Sequence, residues 1–213
     1  RHLPLRINNM TGIVAQNVGR TSGLIKSAAG GGGGAWTKIS TFTSDGSDAT
    51  ATFDSGIDST YPIYVFKFIN IHPETDDKNL TVNFRDGSTA YDATKTTTYF
   101  HATHDEGDSA TSLAYIAGHD LAQSTSAQIL SEGISNDADH GTSGELWLFN
   151  PSSTVFVKHF ICRSNGTRHS NIGSDVHVAG YCNVTAAIDG VQFAMSSGEI
   201  QGGKIKLYGL SDS

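Results

Sequence analysis

From Ala35 onward, apolar and polar residues alternate in short runs broken by clusters of Gly, Ser, Asp, Asn and Pro. A period of two places successive side chains on opposite faces of a strand. Ala35–Thr43 alternates with Trp36, Lys38, Ser40 and Phe42 on one side, and Ala49–Phe53 repeats the pattern after a turn at Ser44–Ser47. Leu80, Val82 and Phe84 point one way, while Thr81, Asn83 and Arg85 point the other. Tyr61–Ile71 differs because it is apolar on both faces, with Tyr64, Phe66 and Phe68 opposing Ile63, Val65, Ile69 and Ile71. That pattern predicts a central strand whose outer face is covered or lies at a subunit interface.

The last third is equally regular. Glu145–Asn150, a turn at Pro151-Ser152-Ser153 and Val155–Cys162 read as a hairpin. Val176–Val184 and Gly190–Met195 follow, then a closing strand with Ile205 and Leu207 facing inward and Lys204 and Lys206 outward. The middle, Gly87–Gly144, is weaker. Thr96–Thr103 and Ser112–Ile116 read as strands, and Asn136–Ser143 as a polar loop. Ala122–Gly133 is ambiguous, since Ala127, Ile129 and Leu130 also fit a short helix. About ten to twelve strands with almost no helix make an all-β antiparallel sandwich. No repeat of fixed period points to a propeller or solenoid.

The first residues have another character. Arg1–Lys26 is polar with short apolar pieces, and Ser27–Gly34 contains the five-glycine run Gly30–Gly34. Such a run is costly to order. It reads as a flexible hinge that makes Arg1–Lys26 an arm reaching another subunit, or as a long loop before the first strand. The hinge reading divides the chain into an N-terminal arm and Gly-rich hinge, 1–34, and a β-sandwich domain, 35–213.

Composition narrows the partners. Charged residues make up 16% of the 213 residues, below the roughly 25% of an ordinary domain. A polar, weakly charged surface suits a chain that buries its outside against copies of itself. The net charge of −7 and the absence of any Lys/Arg run argue against nucleic acid. No apolar run reaches the roughly 20 residues of a membrane helix, so no membrane partner is expected. Cys162 and Cys182 sit in apolar runs and read as buried free thiols, or as a disulfide between neighbouring strands.

No constellation rises to an active site. His101-x-x-His104-Asp105 is the most metal-like cluster, but a spacing of three puts its imidazoles on opposite strand faces unless the chain bends. His119-Asp120 is an isolated pair. His159, His169 and His177 flank the segment with Cys162, yet no Cys-x-x-Cys pair gives a zinc pattern. Asp54, Asp58, Glu74, Asp76 and Asp77 fall in loops without an EF-hand arrangement. There is no Gly-x-Ser-x-Gly elbow, and the glycine run lacks the Gly-Lys-Ser/Thr ending of a phosphate loop. Tyr61, Tyr91, Tyr99 and Trp147 could stack on sugars or pack in a core or interface. No residue is assigned a catalytic, cofactor-binding or metal-ligating role, and the chain is read as non-enzymatic.

Several longer phrases carry a resemblance. They are Ser55–Tyr61, Tyr64–Pro73, Leu148–Thr154, Val157–Phe160, Met195-Ser196-Ser197-Gly198-x-Ile200 and Ile205–Gly209. Together they resemble a family of virion structural proteins of tailed, especially marine, bacteriophages, over roughly Ala35–Leu210. The resemblance implies a jelly-roll-like sandwich on the virion, a homo-oligomer that in comparable viral proteins is often a trimer, and other virion proteins as partners. The expected task is that of a tail fibre, knob or capsid decoration, possible host-surface contact through a glycan included. Asp86–Thr97, Asp105–Thr111 and Asn136–Ser143 are the expected contact loops. The alternatives are a carbohydrate-binding module and a capsid component.

Overall fold

The computed structural model describes residues 36–211. They form twelve antiparallel strands and no helix: β1 (Trp36–Thr43), β2 (Ala51–Phe53), β3 (Ile63–Pro73), β4 (Lys78–Arg85), β5 (Lys95–Asp105), β6 (Thr111–Tyr115), β7 (Gln128–Ile134), β8 (Thr142–Phe149), β9 (Lys158–Arg168), β10 (Ile172–Cys182), β11 (Gly190–Met195) and β12 (Ile200–Leu210). Eight strands pair in the order β1-β12-β3-β8-β9-β10-β5-β6, and four in the order β2-β11-β4-β7. The pair Ile134–Arg168 joins β7 to β9, so the two sheets meet at one corner of a nearly closed sandwich. The expected arm and hinge at 1–34 lie outside the described residues.

Alternation decides what each sheet presents to the other. Tyr64, Phe66, Phe68, Leu146, Leu148, Phe160, Val176, Val178, Ile205 and Leu207 line the inner face of the large sheet, and all are buried. Phe53, Leu80, Val82, Phe84, Leu130, Val191 and Phe193 line the facing sheet. Aromatic rings bridge the two: Phe53 and Phe193 meet Phe66 edge-on, with centroids 5.2 and 5.3 Å away, and Phe84 meets Phe160 at 4.9 Å. Such pairs add about 0.5–1.5 kcal/mol each beyond the area they bury.

β3 is central, between β12 and β8. Val65 points outward yet is fully buried. It lies in register with Tyr208 and Trp147, and Trp36 packs edge-on against both rings at 5.7 and 5.5 Å. Aromatic side chains rather than a helix therefore cover this part of the outer face. Strict alternation fails once along β3. Asn70 is left-handed (φ 50), and the register shifts between Phe68 and Ile71. The bulge turns Ile71 into the core instead of leaving it beside Val65. Gly203 makes room for it, since a Cβ there would lie 2.4 Å from the Asn70 carbonyl oxygen.

One open reading resolves and three expectations change. Ala122–Gly133 holds no helix; its end enters β7, whose inward positions include Gln128 and Glu132. The second hairpin strand starts at Lys158, leaving Val155 and Phe156 exposed in the connection. The loop expected to make contacts, Asp86–Thr97, ends earlier, because Lys95 and Thr97 are buried in β5. Asn136–Ser143 likewise loses Thr142, which is buried in β8 and donates its hydroxyl to Ser131. Asp105–Thr111, also expected to make contacts, spans the connection between β5 and β6.

Candidate functional site

Three polar assemblies stand out, two inside the sandwich and one on its outer face. The first is centred on Glu132, which β7 turns inward between the sheets. Its Oε1 contacts His101 Nδ1 from β5 and accepts from Arg168 Nη1 of β9 at 3.0 Å. Its Oε2 lies 3.2 Å from His119 Nδ1, which approaches off the hydrogen-bond axis. Tyr99 closes the cluster, with His119 edge-on at 4.9 Å. Burial, followed by the Glu132 charge, pushes the Tyr99 phenol far above its usual range, and its hydroxyl has no protein partner. Two imidazoles and a carboxylate suggest a metal, but Arg168 already holds a positive charge against the oxygen a cation would need. Among the described residues no group of three His, Cys, Asp or Glu is placed to bind a metal ion.

The second assembly is a row of buried residues across three strands. Cys182 on β10 pairs with Lys95 on β5 and Lys158 on β9. Both lysines are fully buried. Lys95 Nζ donates to Asn83 Oδ1 at 2.7 Å and to the Ala93 carbonyl at 2.8 Å; Lys158 Nζ donates to the Val184 carbonyl at 3.0 Å. Burial lowers both amines, Lys95 to about 8. Burial pushes the Cys182 thiol up to about 12, against the pull of Lys95 and Lys158, and pushes Cys162 higher still. Both cysteines are free and buried.

The third is a groove on the outer face, about 450 Å³ in volume, running over β3, β8, β9 and β10. The backbone at Gly144 forms part of its floor; a Cβ there would point to the inner face beside buried Ser164, within 2.3 Å of the Arg163 carbonyl oxygen. Lys67 Nζ meets Glu145 Oε2 at 2.7 Å, and Arg163 grips Asp175 through Nε at 3.0 Å and Nη2 at 2.9 Å. The Arg163 bonds hold the Asp175 carboxyl below its usual range. Trp147 and His177 line the adjoining hollow, which shares Glu145 and Arg163.

The residues singled out by sequence scatter over these places. His101 is buried and His104 exposed against Asp108, so the two stand on opposite faces as their spacing predicts. His101 meets His119 instead, through Glu132, a residue the sequence did not mark. Asp105 accepts the Ser109 hydroxyl at 2.6 Å inside its hairpin loop, and Asp120 accepts the Tyr115 hydroxyl. His177 stacks on Phe100 at 4.8 Å, His159 leans on Tyr181, and His169 sits 2.9 Å from Asp77. Asp58 accepts from Thr60 N and the Tyr64 hydroxyl, while the Asp54 carbonyl accepts from Arg85. Asp76 and the Glu74 carbonyl tie down Asn136. Of the four aromatics considered for sugar stacking, Tyr99 is buried, Tyr61 packs against the core, Tyr91 lies beside Arg85, and only Trp147 borders the outer groove.

No protein-family model, no curated protein and no solved structure matches the chain.

Proposed function

We propose that the chain is a non-enzymatic structural protein of a bacteriophage particle, displayed on its surface as a fibre, knob or decoration and assembled as a homotrimer. The virion setting and threefold state rest on the sequence resemblance. The observation that supports assembly is the apolar outer face at the β6 edge. Leu113 and Tyr115 are 78% and 54% exposed. Tyr115 lies in register with Phe100, which stacks on His177, so these side chains form one stripe across three strands. β6 pairs only with β5 and leaves its other backbone edge open. Exposed apolar stripes of this kind mark interfaces. Sedimentation of the full chain should give a trimer, and Leu113→Asp with Tyr115→Asp should shift it to monomer. A wild-type monomer at micromolar concentration would overturn the assembly reading.

A second reading, carbohydrate binding, is favoured by the outer groove. Planar hydrogen-bonding groups on Arg163, Asp175, Asn165 and Glu145 line the groove over the backbone of Gly144 and Ser164, beside the hollow that holds Trp147. Polar groups of fixed direction next to an aromatic surface suit a neutral sugar. On a glycan array the wild type should bind, and Trp147→Ala should weaken binding about tenfold or more, as the loss of a central aromatic anchor does. Silence across the array would remove this reading and leave the assembly role standing.

A further inference from the structure

Lys95 opens β5 and belongs to the large sheet; Asn83 belongs to β4 in the small one. The Lys95 amine is directed onto the Asn83 side-chain amide by the 2.7 Å contact with Oδ1. The 2.8 Å bond to the Ala93 carbonyl holds it there by a second N–H. The other groups that face it are few. Cys182 is its cross-strand neighbour on β10, Lys158 lies beyond Cys182 on β9, and the charge of Asp92 reaches it from the connection before β5. Burial lowers the amine to about 8, with Cys182 and Asp92 pulling the other way. About a tenth of it is therefore neutral at pH 7, a usable fraction for a nucleophile.

We propose that Lys95 and Asn83 become joined by an intramolecular amide bond. The lone pair of the neutral Nζ attacks Cγ of Asn83, and a C–N bond forms. The tetrahedral carbon then expels the side-chain nitrogen of Asn83, and that C–N bond breaks. The proton shed by the attacking nitrogen passes to the departing one, which leaves as ammonia. Atoms and charge balance without an oxidant or cofactor. The fold supplies orientation: two groups held in lasting contact react as if at very high concentration. Asn83 is half-buried, which gives ammonia a way out, whereas Lys95 is fully enclosed. The product ties the two sheets together covalently.

The experiment is intact mass spectrometry of the folded full chain, followed by proteolysis. The folded chain should be lighter by one ammonia, and more of it should be converted after incubation at about pH 9 than at about pH 6, where the amine stays charged. Digestion should yield one branched peptide containing both Asn83 and Lys95. Lys95→Arg and Asn83→Ala should keep full mass, as should wild type kept in denaturant since before it could fold, a control that does not depend on any variant folding. A folded chain still at full mass after incubation at about pH 9 overturns the proposal. So does an ammonia loss that maps to a succinimide at Asn165-Gly166 without joining two peptides.

Discussion

Glu132→Ala is expected to destabilise the fold by about 3–5 kcal/mol, because it removes the buried carboxylate that pairs with Arg168, a cation only 23% exposed at the side chain. In a domain of this size that corresponds to a fall of about 6–20 °C in Tm. Glu132 is 5% exposed, and Arg168 and His101 both address one of its oxygens. Removing the carboxylate leaves Arg168 and two imidazoles facing one another between the sheets, beside a Tyr99 hydroxyl that already lacks a partner. The damage falls where the sheets meet, since Arg168 also forms the single pair that joins β9 to β7. Glu145→Ala provides the contrast. Its partner Lys67 is 42% exposed at the side chain, and the loss should stay below about 1 kcal/mol. Thermal denaturation of the two variants checks both expectations. Equal losses would show that Glu132 does not hold the two sheets together at this corner.

The sequence hides Glu132 for physical reasons. β7 carries Gln128, Leu130, Glu132 and Ile134 at inward positions, so half of its core face is polar. A period-two signal depends on apolar residues marking the buried face, and here it vanished. β5 shows the same effect. Lys95, Thr97, Tyr99 and His101 all point inward, and only Tyr99 looks like a core residue. The alternation itself was legible, and it correctly set His101 and His104 on opposite faces. What it could not show was that a lysine and a histidine stand on the Tyr99 side because partners from other strands satisfy them. β3 and β12 were easier, since Phe66, Phe68, Ile205 and Leu207 need no partner beyond one another. The bulge at Asn70 was hidden too, because its cause lies 133 positions later at Gly203, a separation no local pattern spans. The outer groove joins Lys67, Glu145, Arg163 and Asp175 only through register across four strands.

Stability should fall as pH rises above the ordinary thiol range, and its slope should report whether Lys95 still titrates. Cys162 and Cys182 are raised by burial, Cys182 to about 12. The unfolded chain gives up both thiol protons near pH 8.5 while the folded chain keeps them, so each thiol removes about 1.4 kcal/mol of stability per pH unit above that point. Lys95 acts in the opposite direction. Its folded amine titrates at about 8, whereas an unfolded lysine titrates near 10.4. Between those values the unfolded chain holds more protons, so stability gains about 1.4 kcal/mol per pH unit. Below about pH 8 the charged, buried amine imposes its full cost of about 3 kcal/mol. A chain with a free Lys95 should therefore gain slightly from about pH 8 to 8.5, then lose at most about 1.4 kcal/mol per unit, since two thiols outweigh Lys95 and the lowered Lys158 amine opposes them as well. Cys182→Ser should flatten that decline. Once the amide to Asn83 has formed, Lys95 carries no titratable proton, and the decline should steepen by about 1.4 kcal/mol per unit. Denaturant titrations between about pH 7 and 10, on samples separated by mass, measure both slopes. A slope unaffected by Cys182→Ser would exclude the buried thiol as its source. Identical slopes for the lighter and heavier chains would exclude Lys95 as the nitrogen that lost its charge.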